Sequence, residues 1–423
     1  MEYLDSLNTY GSVPGLDSVR RLLDMAGNPQ NAAGFIHIAG TNGKGSVGTY
    51  ISNILVKAGL RVGRFLSPAV TGPCEIIKFN NIDIPSDTLE KYIDLVNPLC
   101  EQITVKGYPH PTRFEVETAI AFMYFRDMCC DISVIECGMG GLLDATNVIE
   151  NTVLSVITPI GMDHMGFLGN TIEEIAAAKA GIIKDNRPVL AYYDERYCDV
   201  IAEKAGIHNS PVFWTRPDNC VLLDTDESGR TSFDYGRLVN IKPGMSGLYQ
   251  AYNAAMAVDA VSVLRLKGYD ITDSDMYEGI SNSTWFGRFQ YLSHNPDFII
   301  DGAHNPHAAK ALTASLKNIY RDGKVIIIIG VFADKDYGGI LQSLSLVAKE
   351  FITMSTPGNP RALSAKKLAD YIKTYYDIPV ACADNINDAV SMALAASCGR
   401  IPIVACGSLS HLKMLEDCYN GYR

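Results

Sequence analysis

Short runs of apolar and β-branched residues alternate along the chain with longer segments in which apolar residues recur at helical spacing. The clearest runs predict strands at residues 35–39, 132–136, 153–158, 298–301, 325–330 and 403–406. Strands that alternate with helices form parallel sheets whose two faces are covered. The predicted fold class is therefore α/β.

The same pattern predicts the domain organisation. A chain of 423 residues exceeds the size at which one hydrophobic core stops growing, so we expect two domains. Residues 224–242 are polar and weakly periodic, and we interpret them as loops or a small β excursion inside the first domain. A new strand–turn–helix unit begins at Phe298, so the predicted domains are residues 1–290 and the smaller 297–423.

Composition and charge exclude several classes of protein. The apolar run at 325–331 is far shorter than the roughly 20 residues of a membrane span, and the acidic N-terminus is unlike a secretory signal. We therefore expect a cytoplasmic protein with no membrane partner. A net charge of −11 disfavours a nucleic-acid surface, and eleven cysteines without a CxxC pair favour reduced thiols over disulfides or zinc.

A glycine-rich loop follows the first predicted strand and precedes a helical pattern at 47–58; its sequence is Gly40-Thr41-Asn42-Gly43-Lys44-Gly45-Ser46. Such a turn presents backbone N–H groups to phosphates, and a lysine reaches the terminal ones. The strict P-loop pattern fails because Ile38 replaces its first glycine and Gly45 separates Lys44 from Ser46. A plain surface turn is the alternative, but this combination of residues favours a nucleoside triphosphate.

Two further residues are notable for their positions in the predicted elements. Glu136 ends a predicted strand, and a carboxylate there points to the edge where α/β proteins bind ligands and can hold Mg²⁺. Lys179 lies on a helix that starts with a capping box at Thr171 and is predicted to extend to about Lys184. All its helical neighbours are apolar. On the residues alone, an ammonium that extends to water explains this better than a buried cation.

The phosphate loop resembles the GTNGKGS loop of the folylpolyglutamate synthase and dihydrofolate synthase branch of the Mur ligase superfamily. Other segments resemble motifs of that branch in the same order: residues 10–16, 27–30, 136–147, 247–255, 285–288, 301–306 and 356–363. The resemblance starts near residue 4 and continues almost to the C-terminus. It implies a P-loop-containing Mur-ligase-type central domain and a smaller Rossmann-like C-terminal α/β domain.

The resemblance also implies roles for individual residues. Those that bind ATP are Asn42, Gly43, Lys44, Gly45, Ser46, Asn253, Arg288 and Asp301. Those that hold two Mg²⁺ ions are Ser67, Glu136, His164 and Lys179. In this branch the lysine matching Lys179 is carbamylated by CO₂, which turns a cation into a carboxylate ligand. Catalysis falls to Lys44 and Lys179, with His304 or Asp301 orienting or deprotonating the glutamate amine.

The remaining matched residues indicate an acceptor site. Thr112, Phe114 and Glu115 resemble a loop that lines the pterin site; Leu143 and Asp144 accompany it, and Ser408 resembles the end of the glutamate site. The implied reaction joins L-glutamate to dihydropteroate or a reduced folate through an acyl phosphate, giving ADP and phosphate. The implied partners are these small molecules, and we expect a monomer.

Some positions depart from the branch, and some functions stay open. Tyr249 replaces a common His, and Ala69 and Ile76 replace a His and an Arg.

A cell-wall Mur ligase for UDP-linked substrates is disfavoured because only 39 residues precede Gly40. A nucleotide-dependent switch is disfavoured because Lys44 occurs together with the predicted metal ligands. Residues 143–147 resemble bifunctional bacterial members, but single or dual activity and a monovalent cation requirement stay open.

Overall fold

The computed structural model describes residues 2–11, 14–321 and 323–422, so Ser12 and Val13 of the N-terminal motif lie outside the described residues. The chain forms two compact units. One comprises residues up to Cys220 together with Asn253–Ser283, and the other comprises Val221–Tyr252 together with residues from Thr284 onwards. Residues 224–242 therefore group with the second unit and not with the first. The boundary at 290–297 stays a prediction.

The first unit contains an eight-stranded sheet in the order β4-β3-β2-β5-β1-β6-β7-β8. Its strands are β1 (Gly34–Ala39), β2 (Val62–Phe65), β3 (Ile77–Phe79), β4 (Ile82–Asp83), β5 (Ile132–Glu136), β6 (Thr152–Ile157), β7 (Val189–Tyr192) and β8 (Val212–Thr215). Six of these strands, from β2 to β8 in the sheet order, are parallel, while β3 and β4 pair antiparallel at one edge. The carboxyl ends of β2, β5, β1 and β6 consequently lie side by side.

The helices of this unit are α1 (Glu2–Ser6), α2 (Asp17–Met25), α3 (Lys44–Lys57), α4 (Ser86–Val105), α5 (Arg113–Asp127), α6 (Met165–Leu168), α7 (Ile172–Ala180), α8 (Cys198–Ile207) and α10 (Asp273–Ser281). Helix α9 (Tyr249–Leu266) begins in the second unit, and its residues from Asn253 onwards belong to the first. Phe35 and Ala39 of β1 belong to apolar clusters with α2, α5, α7 and α8. Ile38, on the opposite face of the strand, lies beside Gly48 of α3. Alternate side chains of β1 therefore pack against helices on opposite faces of the sheet.

The second unit contains two sheets. Strands β9 (Cys220–Thr225), β10 (Thr231–Tyr235) and β11 (Leu238–Ile241) form the smaller one. The larger has the order β12-β13-β17-β14-β15-β16, with strands β12 (Gln290–His294), β13 (Asp297–Ile300), β14 (Val325–Ile329), β15 (Ala348–Thr353), β16 (Val380–Cys382) and β17 (Ile403–Cys406). Only β12 is antiparallel to its neighbour among these pairs. The helices are α11 (Pro306–Tyr320), α12 (Tyr337–Leu344), α13 (Ala365–Tyr375), α14 (Ile386–Ser397) and α15 (Leu412–Gly421).

The predicted α/β class is confirmed, and each of the six predicted strands is present with ends within one residue of the prediction. The predicted end of α7 near Lys184 is wrong. The helix ends at Ala180. The next residue, Gly181, packs so tightly against Leu142 that a Cβ at Gly181 would overlap the Leu142 side chain. Among the described helices, none is both long and apolar enough to cross a membrane.

Candidate nucleotide and ligase site

The sheet edge of the first unit gathers most of the predicted nucleotide and metal residues. The phosphate loop leaves β1, Glu136 is the last residue of β5, and Ser67 follows β2. The strand register places Glu136 close to the phosphate loop, because Ile38 of β1 pairs with Glu136. Residues distant in the sequence therefore meet at one edge because parallel strands end there together.

The phosphate loop depends on two glycines with positive φ. Gly40 has φ 152° and Gly43 has φ 86°, a region that other residues rarely adopt. A Cβ at Gly40 would overlap Thr158 Oγ1, and one at Gly43 would lie 2.6 Å from Asn253 Oδ1. Asn253 thus lies directly against the loop. Thr158 could not be predicted as a neighbour of the loop, since nothing local to residue 158 indicates that it faces Gly40.

The loop is braced from one side and opens into a helix. Thr41 Oγ1 donates to Gly161 O at 3.0 Å and accepts from Gly161 N at 3.1 Å, and the N–H groups of Thr41 and Asn42 both donate to Pro159 O. Helix α3 then begins at Lys44. First-turn N–H groups have no acceptor within their helix, and the helix dipole favours an anion there. This arrangement fits a phosphate group.

Lys44 and Glu136 form a close charge pair at this edge. Lys44 Nζ lies 3.6 Å from Glu136 Oε1 and 3.4 Å from Thr41 O. Glu136 is buried. A lysine so placed can move between this carboxylate and the phosphates of a bound nucleotide.

Lys179 is buried, which corrects the interpretation that its ammonium extends to water. Its exposed fraction is 3%, and Nζ donates to Gly40 O at 2.7 Å. Burial, and secondarily repulsion by Lys44, lowers the pKa of Lys179 to about 7. A substantial share of neutral amine is therefore present at neutral pH.

The predicted metal ligands are only partly grouped. His164 has φ 53° and a side chain that is 40% exposed, with Nε2 at 3.9 Å from Oδ2 of the buried Asp163. Ser67 is half-buried. Within the described residues, no group of three or more His, Cys, Asp or Glu side chains is arranged to hold a metal ion. What the edge supplies is the buried carboxylate of Glu136.

Thr112 and Glu115, predicted at the acceptor, form a capping box. Thr112 Oγ1 accepts from Glu115 N at 3.4 Å, and Glu115 Oε2 accepts from Thr112 N at 2.7 Å, so the pair starts α5. Phe114 lies 5.7 Å from Phe65 between ring centroids, and a Cβ at Gly138 would lie 2.8 Å from its ring. The capped helix thus holds Phe114 against the glycine-rich segment after β5.

Asp144 organises that segment. Its buried carboxylate accepts from Met139 N at 2.8 Å, from Thr146 N at 3.0 Å and from Thr146 Oγ1 at 2.5 Å, while burial raises the pKa of Asp144. Leu143 is 54% exposed, and its carbonyl accepts from Gly15 N at 3.2 Å. The exposed leucine is therefore presented on a segment whose shape Asp144 maintains.

In the second unit, Asp301 lies at the centre of a polar cluster. Its Oδ1 accepts from Ala303 N at 2.8 Å, and its Oδ2 accepts from Phe289 N at 2.9 Å and Tyr249 Oη at 2.6 Å. Burial raises the pKa of Asp301, although Arg288 opposes the change. The sequence did not indicate that Tyr249 is a partner of Asp301.

The other predicted residues of the second unit lie near the ends of its parallel strands. Arg288 packs on the Gly302 backbone, where a Cβ would overlap its guanidinium. His304 Nδ1 donates to Gly302 O at 2.7 Å, which fixes the proton position on that nitrogen. Ser408 is buried and its Oγ accepts from Ser410 N at 3.3 Å.

Two family models match the chain. Residues 38–261 match the Mur ligase middle domain, and residues 287–409 match the Mur ligase, glutamate ligase domain. A dihydrofolate synthase/folylpolyglutamate synthase of Bacillus subtilis (strain 168) is 34% identical over 369 residues, which cover 85% of each chain. The chain belongs to the folylpolyglutamate synthase/dihydrofolate synthase family. A folylpolyglutamate synthase of Lacticaseibacillus casei is 33% identical over 97% of this chain and 96% of its own.

Solved structures of the family agree with this membership. The Mycobacterium tuberculosis folylpolyglutamate synthase complexed with ADP has a TM-score of 0.89 and 30% identity, covering 99% of this chain and 97% of its own. Escherichia coli FolC in complex with DHPP and ADP has a TM-score of 0.87 and 27% identity, covering 100% and 98%. The predictions of family, fold class and enzyme type are confirmed: this is an ATP-dependent glutamate ligase of the folate type.

Proposed function

We propose that the chain uses ATP and Mg²⁺ to activate the carboxylate of dihydropteroate or of a reduced folate, and then joins it to the amine of L-glutamate. The observation that most supports this proposal is the sheet edge where the phosphate loop, Lys44, Glu136 and the buried amine of Lys179 lie together. We further propose that it acts as a cytoplasmic monomer on small molecules, without a nucleic acid or membrane partner.

The chemistry follows from the poor reactivity of a carboxylate. Its oxygen attacks the γ-phosphorus, ADP leaves, and the acyl phosphate then accepts the glutamate amine, which loses a proton as phosphate departs with the bonding electrons. Phosphoryl transfer of this kind depends mainly on positioning and charge neutralisation. We assign these roles to Lys44 and Arg288, with Asn42, Gly43, Gly45, Ser46, Asn253 and Asp301 shaping the nucleotide site.

Lys179 supports the metal part of the proposal. Carbamylation by CO₂ needs a neutral amine, and burial supplies one by lowering the pKa of Lys179 to about 7. The product would be an anion beside the phosphate loop, where Glu136, Ser67 and His164 would complete the ligands of two Mg²⁺ sites. Mg²⁺, when bound, neutralises phosphate charge.

For the glutamate amine, we favour His304 over Asp301. Asp301 already accepts from three donors and is buried, so it holds the turn after β13 in shape. His304 carries its proton on Nδ1, which makes Nε2 the basic nitrogen of the neutral ring. We assign Thr112, Phe114, Glu115, Leu143 and Asp144 to the acceptor site and Ser408 to the glutamate site.

The test is phosphate release by purified protein supplied with ATP, Mg²⁺, glutamate and either 7,8-dihydropteroate or a reduced folate monoglutamate. We expect release to require both the pteridine acid and glutamate, and the product to gain one glutamyl residue by mass spectrometry. Equal ATP turnover without either compound would favour a nucleotide-dependent switch. Turnover only with a UDP-muramoyl acceptor would contradict the folate assignment. The two acceptors together decide between single and dual activity.

A further inference from the structure

Tyr249 occupies a position where the family pattern commonly has His, and it contacts a residue of the proposed site. It is the first residue of α9, and its hydroxyl donates to Asp301 Oδ2 at 2.6 Å. A phenol reaches farther from the backbone than an imidazole. The tyrosine hydroxyl therefore reaches the Asp301 carboxylate, which the shorter imidazole of a histidine at this position would approach less closely.

The tyrosine ring is held in place by its surroundings. A Cβ at Gly247 would lie 3.1 Å from Tyr249 Cε1 and 3.2 Å from Phe289 Cβ, so both side chains press on that glycine. Leu248 N donates to Ser315 Oγ at 2.9 Å, which ties the start of α9 to α11. Tyr249 also packs against the apolar core of the second unit. The position of the hydroxyl is thus fixed before any substrate binds.

Asp301 faces three ionisable groups from different parts of the unit: Tyr249 at the start of α9, Arg288 before β12 and Cys406 at the end of β17. Burial of Asp301 disfavours its charged form, and the hydroxyl of Tyr249 is the side-chain donor that most strongly opposes this. The backbone donors Phe289 N and Ala303 N also require an acceptor at Asp301.

We propose that Tyr249 is a positioning residue that keeps Asp301 ionised and correctly oriented, so that the turn from Asp301 to His304 and the adjacent Arg288 retain the geometry needed for ligation. This inference rests on the proposed function, because it gives that turn a role in the same reaction. Tyr249 contacts no reacting atom. Its effect passes through Asp301.

Tyr249→Phe tests the proposal, because it keeps the ring and removes only the hydroxyl. Loss of this donor raises the pKa of Asp301 further, so the acid limb of the kcat/KM profile should move by about one unit to higher pH. Activity should fall about tenfold on that limb and approach the wild-type value at alkaline pH. Tyr249→His, which restores the common family residue and a ring N–H donor, should give an intermediate profile.

Tyr320→Phe is a matched control. Tyr320 Oη donates to Asp297 Oδ2 at 2.6 Å, so it makes the same type and length of bond at the other end of β13. This variant should keep the wild-type pH profile. The proposal is overturned if Tyr249→Phe has the wild-type pH profile of kcat/KM, or if it loses activity equally at every pH. It is also overturned if Tyr320→Phe moves the acid limb by the same amount.

A second measurement separates this inference from the proposed function. The pKa of Asp301 is raised by folding, so its ionisation opposes folding as pH rises above the unfolded-state pKa. Tyr249→Phe should therefore destabilise the fold more at pH 7 than at pH 4 in urea unfolding. If ligation fails but this difference is found, the proposed function is wrong and the Tyr249–Asp301 coupling stands. Equal destabilisation at both pH values would contradict the coupling.

Discussion

The buried amine of Lys179 leads to a prediction in which stability and activity change in opposite directions. The pKa of Lys179 falls from 10.5 to about 7 because burial disfavours the ammonium. When the folded-state pKa of a lysine lies below the unfolded-state value, the group opposes folding. The cost is fully present below the folded-state pKa and disappears as pH rises to the unfolded-state pKa. The pH window is therefore about 7 to 10.5.

The size of the effect follows from this difference. A change from 10.5 to about 7 is about 3.5 pKa units, which at about 1.4 kcal/mol per unit is at most about 5 kcal/mol. Most of this cost remains at pH 7. Lys179→Met keeps an unbranched side chain that is one atom shorter, but it loses the bond to Gly40 O, worth about 1 kcal/mol. We therefore expect it to raise the free energy of unfolding by about 2–4 kcal/mol at pH 7.

The assay is urea unfolding in CO₂-free buffer at pH 7 and pH 10, with ligation measured in parallel in bicarbonate. The gain in stability should shrink at pH 10, while ligase activity is mostly lost at every pH. Formate or acetate should partly restore the activity of Lys179→Ala by supplying a carboxylate. In ¹³C-bicarbonate, the wild type should show a carbamate resonance that Lys179→Met lacks.

Lys184→Met is the control for Lys179→Met. The pKa of Lys184 is also lowered by burial, but its Nζ donates to Asn147 O at 3.1 Å, away from the phosphate loop, so ligation and the carbamate resonance should persist. Wild-type turnover by Lys179→Met would refute the assigned role of the amine. A variant less stable than the wild type at pH 7 would refute the account of its burial.

Three further changes test the phosphate loop and the α5 cap. Lys44→Ala should abolish ligation, measured by phosphate release, and weaken ADP binding in calorimetry; full activity would mean that residues 40–46 are only a turn. Gly40→Ala should weaken ADP binding at least tenfold, because its Cβ would overlap Thr158 Oγ1; unchanged affinity would contradict the loop geometry. Glu115→Ala should cost at least about 1 kcal/mol in urea unfolding, because it removes the acceptor of the capping box; a raised KM for the acceptor with unchanged stability would instead indicate direct substrate contact.

Local chemistry explains what the sequence could predict. The glycines and Lys44 of the phosphate loop follow a strand and precede a helix, and that order alone indicates a phosphate site. The position of Glu136 at the edge of the sheet was predictable for a similar reason, since it ends a hydrophobic strand. The capping box at Thr171 correctly predicts where α7 begins. Each of these features depends on residues within a few positions of one another.

Contacts across the chain explain what the sequence could not predict. Lys179 and Gly40 are 139 positions apart, and helical spacing shows only the neighbours of Lys179 on its own helix. The interpretation of an exposed ammonium failed for that reason. The bond from Tyr249 to Asp301 spans 52 positions and is equally invisible to local patterns. Residues 224–242 group with the second unit, and their polar composition could not indicate which sheet they join.

We propose that ATP activates a folate-type carboxylate before glutamate attacks it. The most direct measurement uses dihydropteroate or a reduced folate whose carboxylate oxygens are ¹⁸O, followed by mass analysis of the released phosphate and of the product. We predict that one ¹⁸O is transferred to phosphate for each glutamyl residue added. Released phosphate that lacks ¹⁸O would contradict this order of steps. So would ATP hydrolysis that proceeds without glutamate and releases unlabelled phosphate.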